Sequence, residues 1–311
     1  MTSLEQAVLS TLSWFDLWRQ PLTGFECWYY LWDEAGSNKT CSASDVLKSL
    51  EGLQKNDLVK SELGFWQLSA SPSYKAERLE RARYSIAKRR RAQLAAKLLR
   101  ALPFVRLVAL ANTLAIEGAK PESDIDLFII IRHGRLYLGR LIVTALIQAL
   151  GWRRHGQQVA DRLCLSFYIT DDQLNLRLLA YDDDPYLAYW LASLYPLGDS
   201  QVIENLLKAN AWVKDLIPNR FKVLDFTNKN EQINSWFKKF MEKLLVGWFG
   251  DTLESAAKKL QHYLIHRHHH SRLGDGTTAV VVSDSVLKFH ESDQRPELAS
   301  AWRAKLHNLS I

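Results

Sequence analysis

Residues 104–131, FVRLVALANTLAIEGAKPESDIDLFIII, constrain the chain more than any other stretch. They read as an apolar strand, a turn of small and polar residues, a short helical segment, a loop and a second apolar strand. Asp124 and Asp126 open that second strand, and side chains on a strand alternate faces, so both carboxylates point the same way. The run 127–131 is continuously apolar, as in a central strand buried on both faces. Two unpaired acids beside such a core are strongly penalised, so the pattern asks for a cation at this point.

The rest of the chain supplies a frame for this unit. Residues 4–18 carry apolar positions at helical spacing, Pro21 breaks them, and Thr23 with Glu26 forms a capping-box pattern for a second helix. A third helix spans 42–53, with Ser42 or Ser44 as N-cap, and two short alternating segments around Leu63-Gly64 read as a hairpin. Three helices and a hairpin make residues 1–72 a winged-helix-like domain. Its third helix sets Lys48 and Lys55 against Asp45 and Glu51, a poor footprint for DNA, so packing or protein contact stands as the other reading.

Residues 73–103 form a long basic connecting helix, without internal Gly or Pro, ended by Pro103. It carries Arg78, Arg81, Arg83, Lys88, Arg89, Arg90, Arg91, Lys97 and Arg100. Such a run is either a solvated face or a nucleic-acid surface through Arg89, Arg90 and Arg91. Residues 104–200 form the core: the opening unit, a helix over 136–150, a third strand over 162–169, a shorter strand over 174–180 and an apolar helix over 186–194. Residues 201–311 form a helical C-terminal region. It holds a helix over 201–213, a largely helical stretch over 230–270, a hairpin from 279–282 and 286–289, and a final helix over 296–309. Trp236, Phe237, Phe240, Trp248 and Phe249 make an aromatic stripe there, for core, helix contact or a membrane surface. The fold class is α/β (α+β): a mixed sheet with flanking helices.

Composition narrows the partners. A net charge of +6 permits a polyanion without demanding one, and eleven Trp with eleven Tyr serve core-building and base stacking alike. Three cysteines, Cys27, Cys41 and Cys164, with no C-x-x-C, argue against a zinc site built on cysteines alone and against a disulfide scaffold. The start, MTSLEQAVLSTL, lacks a basic leader and a long apolar core, and stretches such as 186–197 are too short to span a bilayer. A cytoplasmic protein without membrane insertion is expected.

Asp124 and Asp126 are hard oxygen ligands on a rigid strand, a donor type that suits Mg²⁺. Backbone N–H groups of 111–115 and the Thr113 hydroxyl stand where phosphate oxygens could be held, with Lys120, Arg135 or Arg140 to balance charge. Here the chain resembles the DNA polymerase β-like nucleotidyltransferase superfamily, whose pattern is a strand, Gly-Ser, a short helix and a D-x-D strand. Residues 107–110, Asn112-Thr113, 114–118 and 123–127 (SDIDL) follow that order, and the resemblance covers about 104–169. With its winged-helix-like front, the chain also resembles prokaryotic nucleotidyltransferase-domain proteins.

The resemblance implies a Mg²⁺-dependent nucleotidyltransferase-like protein that moves a nucleoside monophosphate from an NTP to a hydroxyl acceptor. Asp124 and Asp126 would be its catalytic, metal-binding residues, and Asn112, Thr113, Ser123 and Arg140 its nucleotide-binding residues. Two departures matter. Asn112-Thr113 replaces Gly-Ser, and the third carboxylate that active members supply is missing from 163–168, Asp161 lying just before that strand. The alternative is therefore a catalytically degenerate nucleotide- or nucleic-acid-binding regulator. Three further clusters stand out: His262, His266 and His268–His270 for metal; Asp284, His290 and Asp293 around the last hairpin; and Gly274-Asp275-Gly276, a turn without a P-loop lysine.

Overall fold

A computed structural model describes every residue except 35, 39, 182–183, 199, 224–235, 270–277, 291–292 and 310–311. His270, the Gly274 turn and the start of the 230–270 stretch therefore lie outside the described residues.

The first helix, α1 (Ser3–Asp16), starts from a capping box in which Thr2 and Glu5 satisfy each other's backbone N–H groups. Strand β1 (Leu22–Thr23) leads into α2 (Gly24–Tyr29), capped by Thr23 and Glu26 as the sequence predicts. Ser42, with Asp45, caps α3 (Ala43–Lys55). Strands β2 (Val59–Glu62) and β3 (Phe65–Leu68) form the hairpin, and β1 adds to it in the order β1-β3-β2. Leu63 and Gly64 both take positive φ, 52° and 79°, the geometry that a two-residue hairpin turn requires.

The basic helix α4 (Lys75–Arg100) buries Arg78, Arg81, Ser85, Lys88, Ala92, Ala95, Ala96 and Leu99, spaced three and four apart along one face. Several of its charges therefore work as tethers. Arg78 reaches Glu26 at 2.9 Å and the Glu117 carbonyl at 3.1 Å, and Arg81 donates to the Trp18 carbonyl at 2.7 Å. Lys88 donates to the carbonyls of Pro121 and Ser123 and to Asp161 at 2.6 Å. Of the triplet proposed for nucleic acid, Arg89 is bound to Glu117, Arg91 stacks on Trp152 and Arg90 is exposed.

The main sheet runs β7-β4-β5-β6-β9-β8. Strand β4 (Val105–Leu110) is antiparallel to β5 (Ile125–Ile131), with α5 (Asn112–Ala115) in the turn between them. Helix α6 (Leu136–Ala149) crosses over to β6 (Leu163–Thr170), which is parallel to β5. The expected strand over 174–180 is instead a 3-10 helix, Leu176–Leu179. The edge of β6 is already paired to β9, so this segment has no ladder to join, and Asn210 accepts the Leu176 N–H at 2.8 Å. Helix α7 (Pro185–Ser193) follows, then β7 (Tyr195–Pro196) on the β4 edge, and helices α8 (Ser200–Ala209), α9 (Trp212–Leu216), α10 (Trp236–Leu244) and α11 (Trp248–His269). Strands β8 (Val280–Val282) and β9 (Val286–Phe289) make the late hairpin, and α12 (Arg295–Asn308) ends the described chain.

The sheet has helices on both faces. Ile125, Leu127, Ile129 and Ile131 of β5 pack with Ala95 and Leu99 of α4, Val143 and Ile147 of α6 and Ala257 of α11. Phe128 and Ile130, on the other side of the same strand, share a cluster with Trp14 of α1, Trp190 of α7 and Trp302 of α12. This second cluster also contains Val46 and Leu50 of α3 and Trp66 of β3, so the N-terminal helices and the sheet bury one continuous core. The aromatic stripe of α10 and the start of α11 is not core. Trp236 and Trp248 are 76% and 82% exposed, and α10 meets the body through Lys238 and Glu242.

Candidate metal and nucleotide site

The turn after β4 places Asn112 at φ +54°, a left-handed conformation that Asn tolerates and that a glycine in this place would take freely. Its amide donates to Asp126 Oδ2 at 2.8 Å, while its carbonyl oxygen accepts from Trp190 Nε1 at 3.0 Å and from the Tyr186 hydroxyl at 3.3 Å. One side chain thus links a carboxylate to two aromatic rings. Thr113 follows in the same turn, and both residues line a cavity with Asp124 and Asp126.

Asp124 stands just ahead of β5 and Asp126 is its second residue. The β5–β6 register sets Asp126 opposite Cys164 and then Phe128 opposite Phe167, so β6 carries one extra residue, a bulge. The register with Asp126 sets Cys164 on the carboxylate face, while Leu163 and Leu165 pack on the opposite face; the bulge comes after this pair and brings Phe167 back to the Phe128 side. Among the described residues, Asp124, Asp126 and Cys164 form a group whose ligand atoms all lie within 4.8 Å of one another. Sequence reasoning sought a carboxylate in this strand; a thiol stands beside the two acids instead. The cation that the acids asked for is Arg154, whose Nη1 lies 2.6 Å from Asp124 Oδ2 and 4.0 Å from Cys164 Sγ. Burial, then the neighbouring charge of Asp124, pushes Asp126 up to about 6, against the pull of the Asn112 hydrogen bond. Burial and then Asp126 likewise push the Cys164 thiol up.

The cavity, about 380 Å³, lies between this sheet face and helices α1, α7 and α12. That is the size of a small-molecule pocket, ~300–1,000 Å³. Trp14, Trp18, Phe167, Tyr186 and Trp190 give it aromatic walls, and beyond β6 come Lys288 of β9 and His290, just after that strand. Burial, then the charge of Arg295, lowers Lys288 to about 8; burial, then Lys288, lowers His290 to about 4. Burial opposes the charge on Asp293, but bonds to Arg295 outweigh it and hold the carboxyl at about 2. The His290 Nε2 lies 3.5 Å from the Ser166 hydroxyl, on the bulged strand.

Of the residues that the resemblance assigns to metal and nucleotide, Asn112, Thr113, Asp124 and Asp126 meet at this cavity. Ser123 does not line it: its hydroxyl accepts the Lys120 N–H at 3.0 Å and closes the loop ahead of Asp124. Arg140 lies on the other face of the sheet, where it donates to Gln261 at 2.7 Å and stacks on Phe289. Arg135 is bound to Asp251, and Asp161 to Lys88. His262 meets the Tyr137 hydroxyl at 2.9 Å. Asp284 pairs with Lys258, away from His290 and Asp293, which line the cavity. Sequence reasoning missed Arg154, Cys164 as a candidate ligand and the aromatic walls. Only Cys164 carried a signal, since it occupies the strand where the third acid was sought.

The donor set tests the Mg²⁺ that the resemblance implies. Two carboxylates suit it, but sulfur is a poor ligand for so hard an ion. No protein-family model matches the chain, and no curated protein or solved structure matches it either.

Proposed function

We propose that the chain is a metal-assisted nucleotidyltransferase-like protein, binding an NTP in the aromatic cavity with its phosphates toward Asp124 and Asp126. The observation that carries this reading is the meeting of paired carboxylates with an aromatic-walled cavity of about 380 Å³. Tyr186 and Trp190 offer faces on which a base could stack, and Asn112 fixes both rings through its carbonyl oxygen. The Thr113 hydroxyl is a donor for a phosphate oxygen, and Asp124 and Asp126 supply the negative charge that retains a divalent ion. Such an ion, when bound, neutralises phosphate oxygens and acidifies the attacking hydroxyl. In the reaction, the acceptor oxygen bonds to the α-phosphorus as pyrophosphate leaves. The acceptor can be an RNA end, a protein hydroxyl or a small molecule.

A second reading, a nucleotide-binding regulator without turnover, is favoured by Arg154 and Cys164. Arg154 already neutralises Asp124, and a thiol takes the place of a third acid. Nucleic-acid binding by the basic helix draws little support, because Arg89 and Lys88 are engaged within the fold. Labelled NTP and divalent metal test the site: binding is expected to be metal-dependent and lost in the Asp124→Ala/Asp126→Ala variant. Equal binding by that variant would remove the assignment. Pyrophosphate release across RNA, protein and small-molecule acceptors separates transferase from regulator.

A further inference from the structure

We infer that Asp124, Asp126 and Cys164 form one metal centre selective for a thiophilic divalent ion, of the Zn²⁺, Co²⁺ or Cd²⁺ type, over Mg²⁺. This rests on the reading that the carboxylate pair holds a metal, and it names which kind.

Three observations carry it. The first is placement: parallel pairing of β5 and β6 sets Asp126 opposite Cys164, so the sulfur lies on the carboxylate side of the sheet. The three ligand atoms lie within 4.8 Å of one another; a tetrahedral ion with bonds of about 2.0–2.3 Å holds its ligands roughly 3.3–3.8 Å apart, so the side chains close in by up to about an ångström on binding. The second is a cation already there. Arg154 Nη1 touches Asp124 at 2.6 Å and stands 4.0 Å from the sulfur, so positive charge is drawn to the carboxylate–thiol pair as a unit. Its side chain is 46% exposed and can leave to water when an ion arrives. The third is the donor chemistry. Two oxygens and one sulfur, beside a cavity that can admit water or substrate, share with catalytic zinc sites the plan of three protein ligands and an open position, though not their histidines. Mg²⁺ asks for oxygen ligands in an octahedron, and sulfur cannot serve. As the sulfur–metal bond forms, the Cys164 proton passes to water, so binding releases a proton.

Co²⁺ spectroscopy on the full chain tests the centre, because a thiolate–cobalt bond gives charge-transfer absorption that carboxylate or imidazole ligands lack. The wild type is expected to show that absorption and to bind Cd²⁺ more tightly than Mg²⁺. Cys164→Ser should abolish the band, with Cys27 and Cys41 still present. It should also weaken Cd²⁺ binding at least ~10- to 100-fold, the range that even an outer-shell change produces. Cys164→Asp should shift preference toward Mg²⁺. Asp126→Asn should reduce the band, since sulfur and carboxylate share the ion. A wild type that binds Mg²⁺ as tightly as Cd²⁺, or a band unchanged in Cys164→Ser, would overturn the inference and leave a metal at the acids standing. No divalent ion bound, with or without NTP, would bring down both readings.

Discussion

Asn112 carries three contacts that a glycine in its place would not make: one to Asp126, one to Trp190 and one to Tyr186. Asn112→Gly keeps the left-handed backbone but strands the Trp190 N–H in a buried ring. Urea unfolding should show a loss of roughly 1–3 kcal/mol. An unchanged midpoint would mean that those bonds are dispensable. Asp126 gives a pH test. Its folded value of about 6 lies above the ordinary 3.8, so the folded chain binds that proton more tightly. Metal-free protein should therefore gain stability from this group as pH falls from about 6 toward 3.8, and Asp126→Asn should remove that part of the profile. Metal binding should move the other way, Asp126 adding a weakening of about tenfold per unit below that value as its proton competes with the ion. At this scale the sequence was informative wherever period-two alternation operated, as for Asp124 and Asp126. It marked the strand of Cys164 but not the thiol as the acids' neighbour, because that juxtaposition depends on the pairing register between strands 38 residues apart, Asp126 to Cys164.

Among the elements, α4 and α6 hold the sheet from one side. Helix α4 was legible as a helix, but its charge run reads from sequence as a solvated or nucleic-acid face, whereas Arg78, Arg81 and Lys88, on one three-four spacing with Ser85, point inward. What spacing could not supply were the partners, carbonyls and acids brought up from α2 and from the loop before β5. Lys88→Met should lose roughly 1–3 kcal/mol by leaving the Pro121 and Ser123 carbonyls short of a donor. It should also weaken metal binding by loosening the chain ahead of Asp124. Arg90→Met, at an exposed position, should change neither quantity. Helix α6 approaches β5 closely at Gly139, where an added Cβ would meet Ile131 Cγ2 at 2.7 Å. Ile131 is β-branched and sits in a strand, so it cannot rotate away cheaply. Gly139→Ala should cost about 1–3 kcal/mol by denaturant unfolding.

Taken whole, the molecule closes on itself. Trp302 of α12 donates to the Ser10 carbonyl of α1 at 2.9 Å, and Lys305 reaches Asp16 at 2.6 Å. The cavity lies under this closure, since Trp14 and Trp18 form one wall and Arg295 and Leu298 another. Trp302→Ala should cost about 3–5 kcal/mol and reduce ligand binding without touching a ligating atom. Unfolding followed at α1 and at the sheet should give one coincident transition, because a single apolar cluster joins them. This long-range closure was not legible in the sequence: periodicity assigns a helix its apolar face but not the surface that receives it. The central claim is tested most directly by equilibrium binding of NTP across a divalent-metal titration, in the wild type and in Asp124→Ala/Asp126→Ala. Metal-dependent binding in the wild type, lost in the variant, is the predicted result. Equal binding by both proteins, or none by the wild type with any divalent ion, would contradict it.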